Sequence, residues 1–147
     1  MSVADFKKSV VYQIYPKSFS DSNGDGWGDL KGVTSKLDYI KELGADYIWL
    51  TPFFVSPQND NGYDVEDYYN IDPRYGTMED FEELAAEAEK RGIRLMLDMV
   101  FNHTSSRHEW FQKALAGDEK YKNFYIFRKG KAPGVPPTNW ELSLIHI

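Results

Sequence analysis

Three short apolar runs, SVVYQIYP (9–16), DYIWLTPF (46–53) and IRLMLDMVF (93–101), alternate with two stretches of helical periodicity. The runs are rich in β-branched and aromatic residues, and each predicts a strand. Between the first two, LKGVTSKLDYIKELGA sets Val33, Leu37, Ile40 and Leu43 at helical spacing, with Gly44 as the C-cap. Between the second and third, TMEDFEELAAEAEKRG puts Phe81, Leu84, Ala85 and Ala88 on one face. Thr77 and Asp80 resemble a capping box there, and Gly92 ends the helix. A long polar loop is expected from Val55 to about Gly76. A short helix follows near 108–116, and then the Pro- and Gly-rich stretch KGKAPGVPPTNW.

The resulting order, β-α-β-α-β with near-continuous apolar strands, predicts an α/β fold with a parallel sheet covered on both faces. Such a sheet carries its chemistry in the loops at the C-terminal strand ends, whether it stays open or closes into a barrel. The unusual polar clusters fall at those ends: after Pro16, after Pro52 and from Asp98.

Composition narrows the function classes. The 147 residues carry a net charge of −6 and no run of Lys or Arg longer than a pair. A nucleic-acid or anionic-membrane surface needs a concentrated positive field, so neither partner is expected. Cysteine is absent, which removes disulfides, thiolate metal sites and a Cys nucleophile. The start, MSVADFKKSVVYQIYP, has no apolar run long enough for a signal peptide or membrane span. A cytoplasmic location is the default expectation.

The first cluster, DSNGDGWGDLKG, places Asp21, Asn23, Asp25 and Asp29 at positions one, three, five and nine of an EF-hand-like loop. Gly26 sits at the sharp turn, and the carbonyl of Trp27 fills position seven. Position twelve is Gly32 and the preceding element is a strand, which argues against a true EF-hand. An Asx-Gly turn with solvated charges is the alternative. Unneutralised acidic groups at this register repel, so a structural Ca²⁺ is expected.

The loop after the second strand carries Asp60, Tyr63 and Asp64, and the end of the third carries Asp98, Asn102 and His103. Carboxylates that accept hydroxyl hydrogen bonds, beside an aromatic face for the apolar side of a ring, suit a small carbohydrate. Turn-forming roles for Asp60 and a structural role for His103 are the alternatives. Asp98 follows an apolar run, and a buried carboxylate there demands partners.

Together VVYQIYPKSF, DSNGDGWGDLKG, YIWLTPFFVSP, DNGYDVEDYYNIDPRYGTMEDF and LMLDMVFNHTS resemble the α-amylase family, glycoside hydrolase family 13. The likeness covers roughly 9–141 and is strongest to the α-glucosidase branch, which includes oligo-1,6-glucosidases and trehalose-6-phosphate hydrolases. It implies the N-terminal part of a (β/α)₈ TIM barrel over residues 1–103, comprising three strands and two helices. The start of a domain inserted after strand three is implied over 104–141. Residues 142–147, LSLIHI, depart from the family pattern and are expected to be a non-native tail. The resemblance further implies that Asp60, Tyr63 and His103 contact a non-reducing glucose, with Asp64, Asp98 and Asn102 supporting. It supports the Ca²⁺ loop of Asp21, Asn23, Asp25, Trp27 and Asp29.

The implied activity is retaining hydrolysis of small α-glucosides. DVEDYYNIDPRYGTMEDFEEL and GVPPTNWE lean toward trehalose 6-phosphate over isomalto-oligosaccharides. The nucleophilic Asp and the acid/base Glu of the family are expected beyond residue 147, so this chain alone is expected to be inactive. A non-catalytic amylase-like protein, or a related glucosyltransferase or isomerase, is the alternative.

Overall fold

The computed structural model describes residues 6–135, 137 and 138; the stretch 142–147 lies outside them. Two compact units divide the chain: Met1–Val55 with Tyr69–Met99, and Ser56–Tyr68 with Val100–Ile147.

In the first unit, strands β1 (Val11–Ile14), β2 (Tyr47–Leu50) and β5 (Arg94–Leu97) form a parallel sheet in the order β1-β2-β5. Val11 faces Tyr47 and Tyr47 faces Arg94, and the register runs unbroken to Ile14, Leu50 and Leu97. The expected parallel sheet is present. The expected cover on both faces holds only for central β2, where Tyr47, Ile48 and Leu50 are buried. Val11 is exposed on β1, and β5 is half-exposed beside an apolar groove lined by Phe81, Ala85, Ile93, Leu95 and Leu97.

The helix expected over 30–45 is two helices, α2 (Leu30–Ser35) and α3 (Leu37–Glu42), after a single turn α1 (Pro16–Phe19). The hydroxyls of Thr34 and Ser35 donate back to the carbonyls of Leu30 and Gly32, at 3.0 and 2.7 Å. Such back-bonding bends a helix, and Lys36 leaves helical geometry at φ −105°, ψ 8°. The break turns Leu43 outward, half-exposed, while Val33, Leu37 and Ile40 are fully buried. Each of those three contributes about 1.5–3 kcal/mol relative to an exposed side chain. Gly44, at φ +77°, closes α3 as expected: its N–H reaches Lys41 and that of Ala45 reaches Ile40.

The capping box is also present. The N–H of Asp80 donates to Thr77 Oγ1 at 3.3 Å, and the N–H of Thr77 donates to Asp80 Oδ2 at 2.8 Å, opening α4 (Met78–Lys90). Leu84 and Ala88 are its buried residues. They join Ile14, Ile48, Leu50, Phe53, Tyr75 and Ile93 in one core. The 55–76 stretch is not a plain loop. It holds β4 (Asp67–Ile71), which forms a two-stranded sheet with β3 (Phe54–Val55). In the second unit, α5 (Glu109–Leu115) buries Phe111 and Ala114, and α6 (Glu119–Lys122) follows.

Candidate functional site

The acidic loop belongs to the first unit and is braced by main-chain contacts to α1. The N–H of Gly28 donates to the carbonyl of Lys17 at 2.8 Å, and that of Asp29 to Ser20 at 3.0 Å. The approach is so close that a Cβ on Gly28 would lie 2.0 Å from the carbonyl oxygen of Pro16. Trp27 anchors the loop, with Lys17 Nζ 4.5 Å and the Arg74 guanidinium 5.1 Å from its ring centroid, and Tyr75 edge-on. Arg74 is itself held by Asp72, with Nε 2.8 Å from Oδ1.

The repulsion expected among the acidic groups is relieved partly by the backbone. Asp21 accepts N–H bonds from Asn23, Gly24 and Gly26 at 3.1, 2.7 and 2.8 Å, which holds its carboxyl below the usual carboxylate range. Asp25 accepts from the Trp27 N–H at 2.7 Å and from the Asn23 side-chain amide at 3.1 Å. Asp29 is buried and caps α2, accepting from the Gly32 N–H at 2.6 Å and from the Ser22 hydroxyl at 2.8 Å. Among the described residues, no group of three or more His, Cys, Asp or Glu forms a metal cluster by itself. The donor set is mixed: carboxylates of Asp21 and Asp25, the amide oxygen of Asn23 and the carbonyl of Trp27. All are oxygens on an exposed loop turned by Gly24 and Gly26 at φ +80° and +91°, a set that fits a hard cation.

Five of the six sugar-pocket candidates lie in the second unit. Asp64 is fully buried there and organises the loop before it. Its Oδ1 accepts from Ser56 Oγ at 2.8 Å and the Asp60 N–H at 3.1 Å, and its Oδ2 accepts from the Asn59 N–H at 2.9 Å. These bonds hold Gln58 and Asn61 at φ +61° and +51°, a region costly for residues with a Cβ. The Tyr63 N–H then donates to the Asp60 carbonyl at 3.0 Å, so both side chains project from one fixed turn. Asp64 therefore acts on the turn through its hydrogen bonds to Ser56, Asn59 and Asp60.

His103 is joined to the same turn. Its Nε2 lies 2.9 Å from the Tyr63 carbonyl oxygen and its Nδ1 3.4 Å from Asn102 Nδ2. A carbonyl only accepts, so Nε2 carries the hydrogen and Nδ1 is the acceptor. A sugar hydroxyl at this ring competes with one of these two neighbours. Asp98 belongs to the first unit, where its N–H extends the β2-β5 ladder to the Leu50 carbonyl at 3.2 Å. It is half-buried at the strand end rather than enclosed in the core.

Sequence reasoning passed over Ser56, Tyr68 and His108. Tyr68 has its hydroxyl 2.6 Å from the Val100 carbonyl and 2.8 Å from that of His103. His108, buried, caps α5 by accepting the Trp110 N–H at Nδ1, 3.1 Å away. Tyr68 falls in the stretch expected to be a polar loop, where the neighbouring Asp and Asn residues hide its strand, and nothing local to HEW marks the histidine as a cap.

Residues 13–144 match the family described as Alpha amylase, catalytic domain. Over 136 residues the chain is 59% identical to a trehalose-6-phosphate hydrolase of Escherichia coli strain K12, covering 92% of this chain and 24% of the relative. It is 57% identical over 136 residues to an oligo-1,6-glucosidase of Bacillus cereus, with the same shares covered. A crystal structure of Bacillus licheniformis trehalose-6-phosphate hydrolase superimposes with a TM-score of 0.86 at 60% identity, covering 94% of this chain and 25% of that one. The chain thus spans about a quarter of the length of the relatives it matches. Its three parallel strands correspond to part of their barrel sheet, without closure among the described residues. The match over 13–144 and the shared fold show that this chain belongs to the α-amylase family.

Proposed function

We propose that this chain supplies the glucose-holding part of a retaining α-glucosidase acting on small α-glucosides, with trehalose 6-phosphate favoured and isomalto-oligosaccharides next. The observation that carries the reading is the buried Asp64 carboxylate, which fixes the turn bearing Asp60 and Tyr63 against His103. Asp60 accepts hydrogen bonds from sugar hydroxyls, His103 adds a further polar contact, and the Tyr63 ring packs the apolar face of the sugar. Contacts that tighten as the ring distorts favour the transition state over the bound substrate. Protonation of the glycosidic oxygen and attack at the anomeric carbon need two carboxyl groups about 5 Å apart. By the family resemblance those groups lie beyond residue 147. The preference for trehalose 6-phosphate rests on the relatives named above.

A structural Ca²⁺ belongs to the same proposal. Asp21, Asn23, Asp25 and the Trp27 carbonyl would hold it, with Asp29 at the loop's end, and it would neutralise the loop's charge and stiffen its link to α1. A small carbohydrate is the partner, and a cytoplasmic location is proposed. Among the described residues no helix is long and apolar enough to cross a membrane.

The test is kinetic. Residues 1–138 replace the matching quarter of the E. coli relative, and the chimera is assayed on trehalose 6-phosphate and isomaltose. His103→Ala is expected to lower kcat/KM on the order of 10²-fold, mainly through transition-state contacts, and Tyr63→Ala to impair turnover as well. Near-parent kinetics in both variants would show these residues to be structural only. A chimera inactive on both sugars would remove the glucosidase reading.

A further inference from the structure

We infer that Tyr68 is a positioning residue for the sugar pocket, its hydroxyl clamping the 100–103 segment by drawing two backbone carbonyls onto one donor. The inference rests on the glucose-holding role proposed for His103.

The segment from Val100 to His103 has no regular secondary structure, so its polar backbone groups depend on other parts of the second unit. Three ties run from the Ser56–Tyr68 stretch to residues 100–105. The Tyr63 carbonyl meets His103 Nε2 at 2.9 Å, the Val65 carbonyl accepts the Ser105 N–H at 2.8 Å, and the Tyr68 hydroxyl meets the carbonyls of Val100 and His103. The last tie differs in kind. A phenol has one hydrogen, so at 2.6 and 2.8 Å the two carbonyls share it in a three-centre bond. The carbonyls bracket Phe101 and Asn102, both exposed, so one side chain sets the width of the bend that presents Asn102 and His103.

The donor is itself held in place. The Tyr68 ring packs at 5.5 Å on buried His108, and His108 packs at 4.6 Å on Trp110. Burial, with Tyr125 adding to it, pushes the phenol up to about 12, so the hydroxyl keeps its hydrogen at any working pH. Backbone contacts made by a fixed donor hold the His103 ring at a set depth. A displacement of about 1 Å in a reacting geometry can cost on the order of 10²-fold in rate.

The experiment uses the chimera with Tyr68→Phe, which keeps the ring and removes the donor. Amide hydrogen exchange over 100–105 is expected to quicken about tenfold while α5 keeps its protection, because two carbonyls lose their partner. For trehalose 6-phosphate, kcat/KM is expected to fall about tenfold to a hundredfold, with kcat falling further than KM changes. In a His103→Ala background the same substitution is expected to cost less than twofold, because its effect runs through that ring. Unchanged exchange over 100–105, or a loss that simply adds to that of His103→Ala, overturns the inference. If the parent chimera turned over no α-glucoside, the glucosidase reading would fail, and the exchange arm would still decide whether Tyr68 holds the segment.

Discussion

Replacing Asp64 by Asn keeps the size of a fully buried side chain and exchanges one acceptor oxygen for an NH₂ group. The amide can be seated in two ways. With its nitrogen in the Oδ2 place, it faces the Asn59 N–H, now 2.9 Å from an acceptor. With its nitrogen in the Oδ1 place, the Ser56 hydroxyl can rotate to accept, but the Asp60 N–H at 3.1 Å cannot. In either seating a backbone N–H loses its acceptor and meets another donor. Such a loss costs about 1–3 kcal/mol, equivalent to roughly a 5–150-fold shift in the local opening equilibrium. Asp64→Ala removes the acceptor for all three donors and costs about 3 kcal/mol or more, with Gln58 and Asn61 freed to leave their left-handed backbone. Hydrogen exchange over 57–64 in the chimera reads both effects directly, as a graded rise from parent to Asn to Ala. Exchange within about twofold of the parent in both variants would refute the reasoning, since it would mean that this carboxylate does not hold the turn.

Two further outcomes follow from the loops. Asp21→Ala with Asp25→Ala is expected to lower the thermal midpoint of the chimera and abolish its response to calcium, whereas identical melting curves with calcium and with chelator, in parent and variant alike, would count against the cation. Burial holds the His108 imidazole below its ordinary 6.5, with Asp67, Glu109 and Glu66 pulling the other way. The unfolded chain then binds the proton first, so the contribution of His108 to stability is complete above about 6.5 and declines as pH falls below it toward the lowered folded value. Protection of the α5 amides, taken relative to their intrinsic exchange rates at each pH, should therefore fall between pH 7 and pH 5, and His108→Asn, which keeps a capping acceptor, should flatten that response; an equal slope in the variant would contradict it.

The elements legible in the sequence are those whose signals are local. Three apolar runs became three parallel strands, the Thr77–Asp80 box opened one helix, and Gly44 closed another, where their chemistry requires. The break at Lys36 was hidden because Thr34 and Ser35 fit a helical spacing as well as they oppose it, and only their hydroxyl geometry decides. β4 was hidden by the Asp and Asn residues around Tyr68, Tyr69 and Ile71, which read as loop until paired with β3. In the candidate site, Asp60, Tyr63 and His103 could be named from residue type and family likeness. The bonds that join them, from Asp64 to the Asp60 N–H and from His103 to the Tyr63 carbonyl, link residues 4 and 40 positions apart, and sequence carries no signal for the second. Likewise, the acidic loop advertised its charge but not the N–H groups of Gly24 and Gly26 that meet it.

The central claim is that Asp60, Tyr63 and His103 together hold a glucose unit. A crystal structure of the chimera soaked with glucose tests it most directly. The account predicts glucose with its hydroxyls within hydrogen-bond distance of the Asp60 carboxylate and the His103 ring, and its apolar face against Tyr63. Glucose bound with none of these three side chains in contact would contradict it.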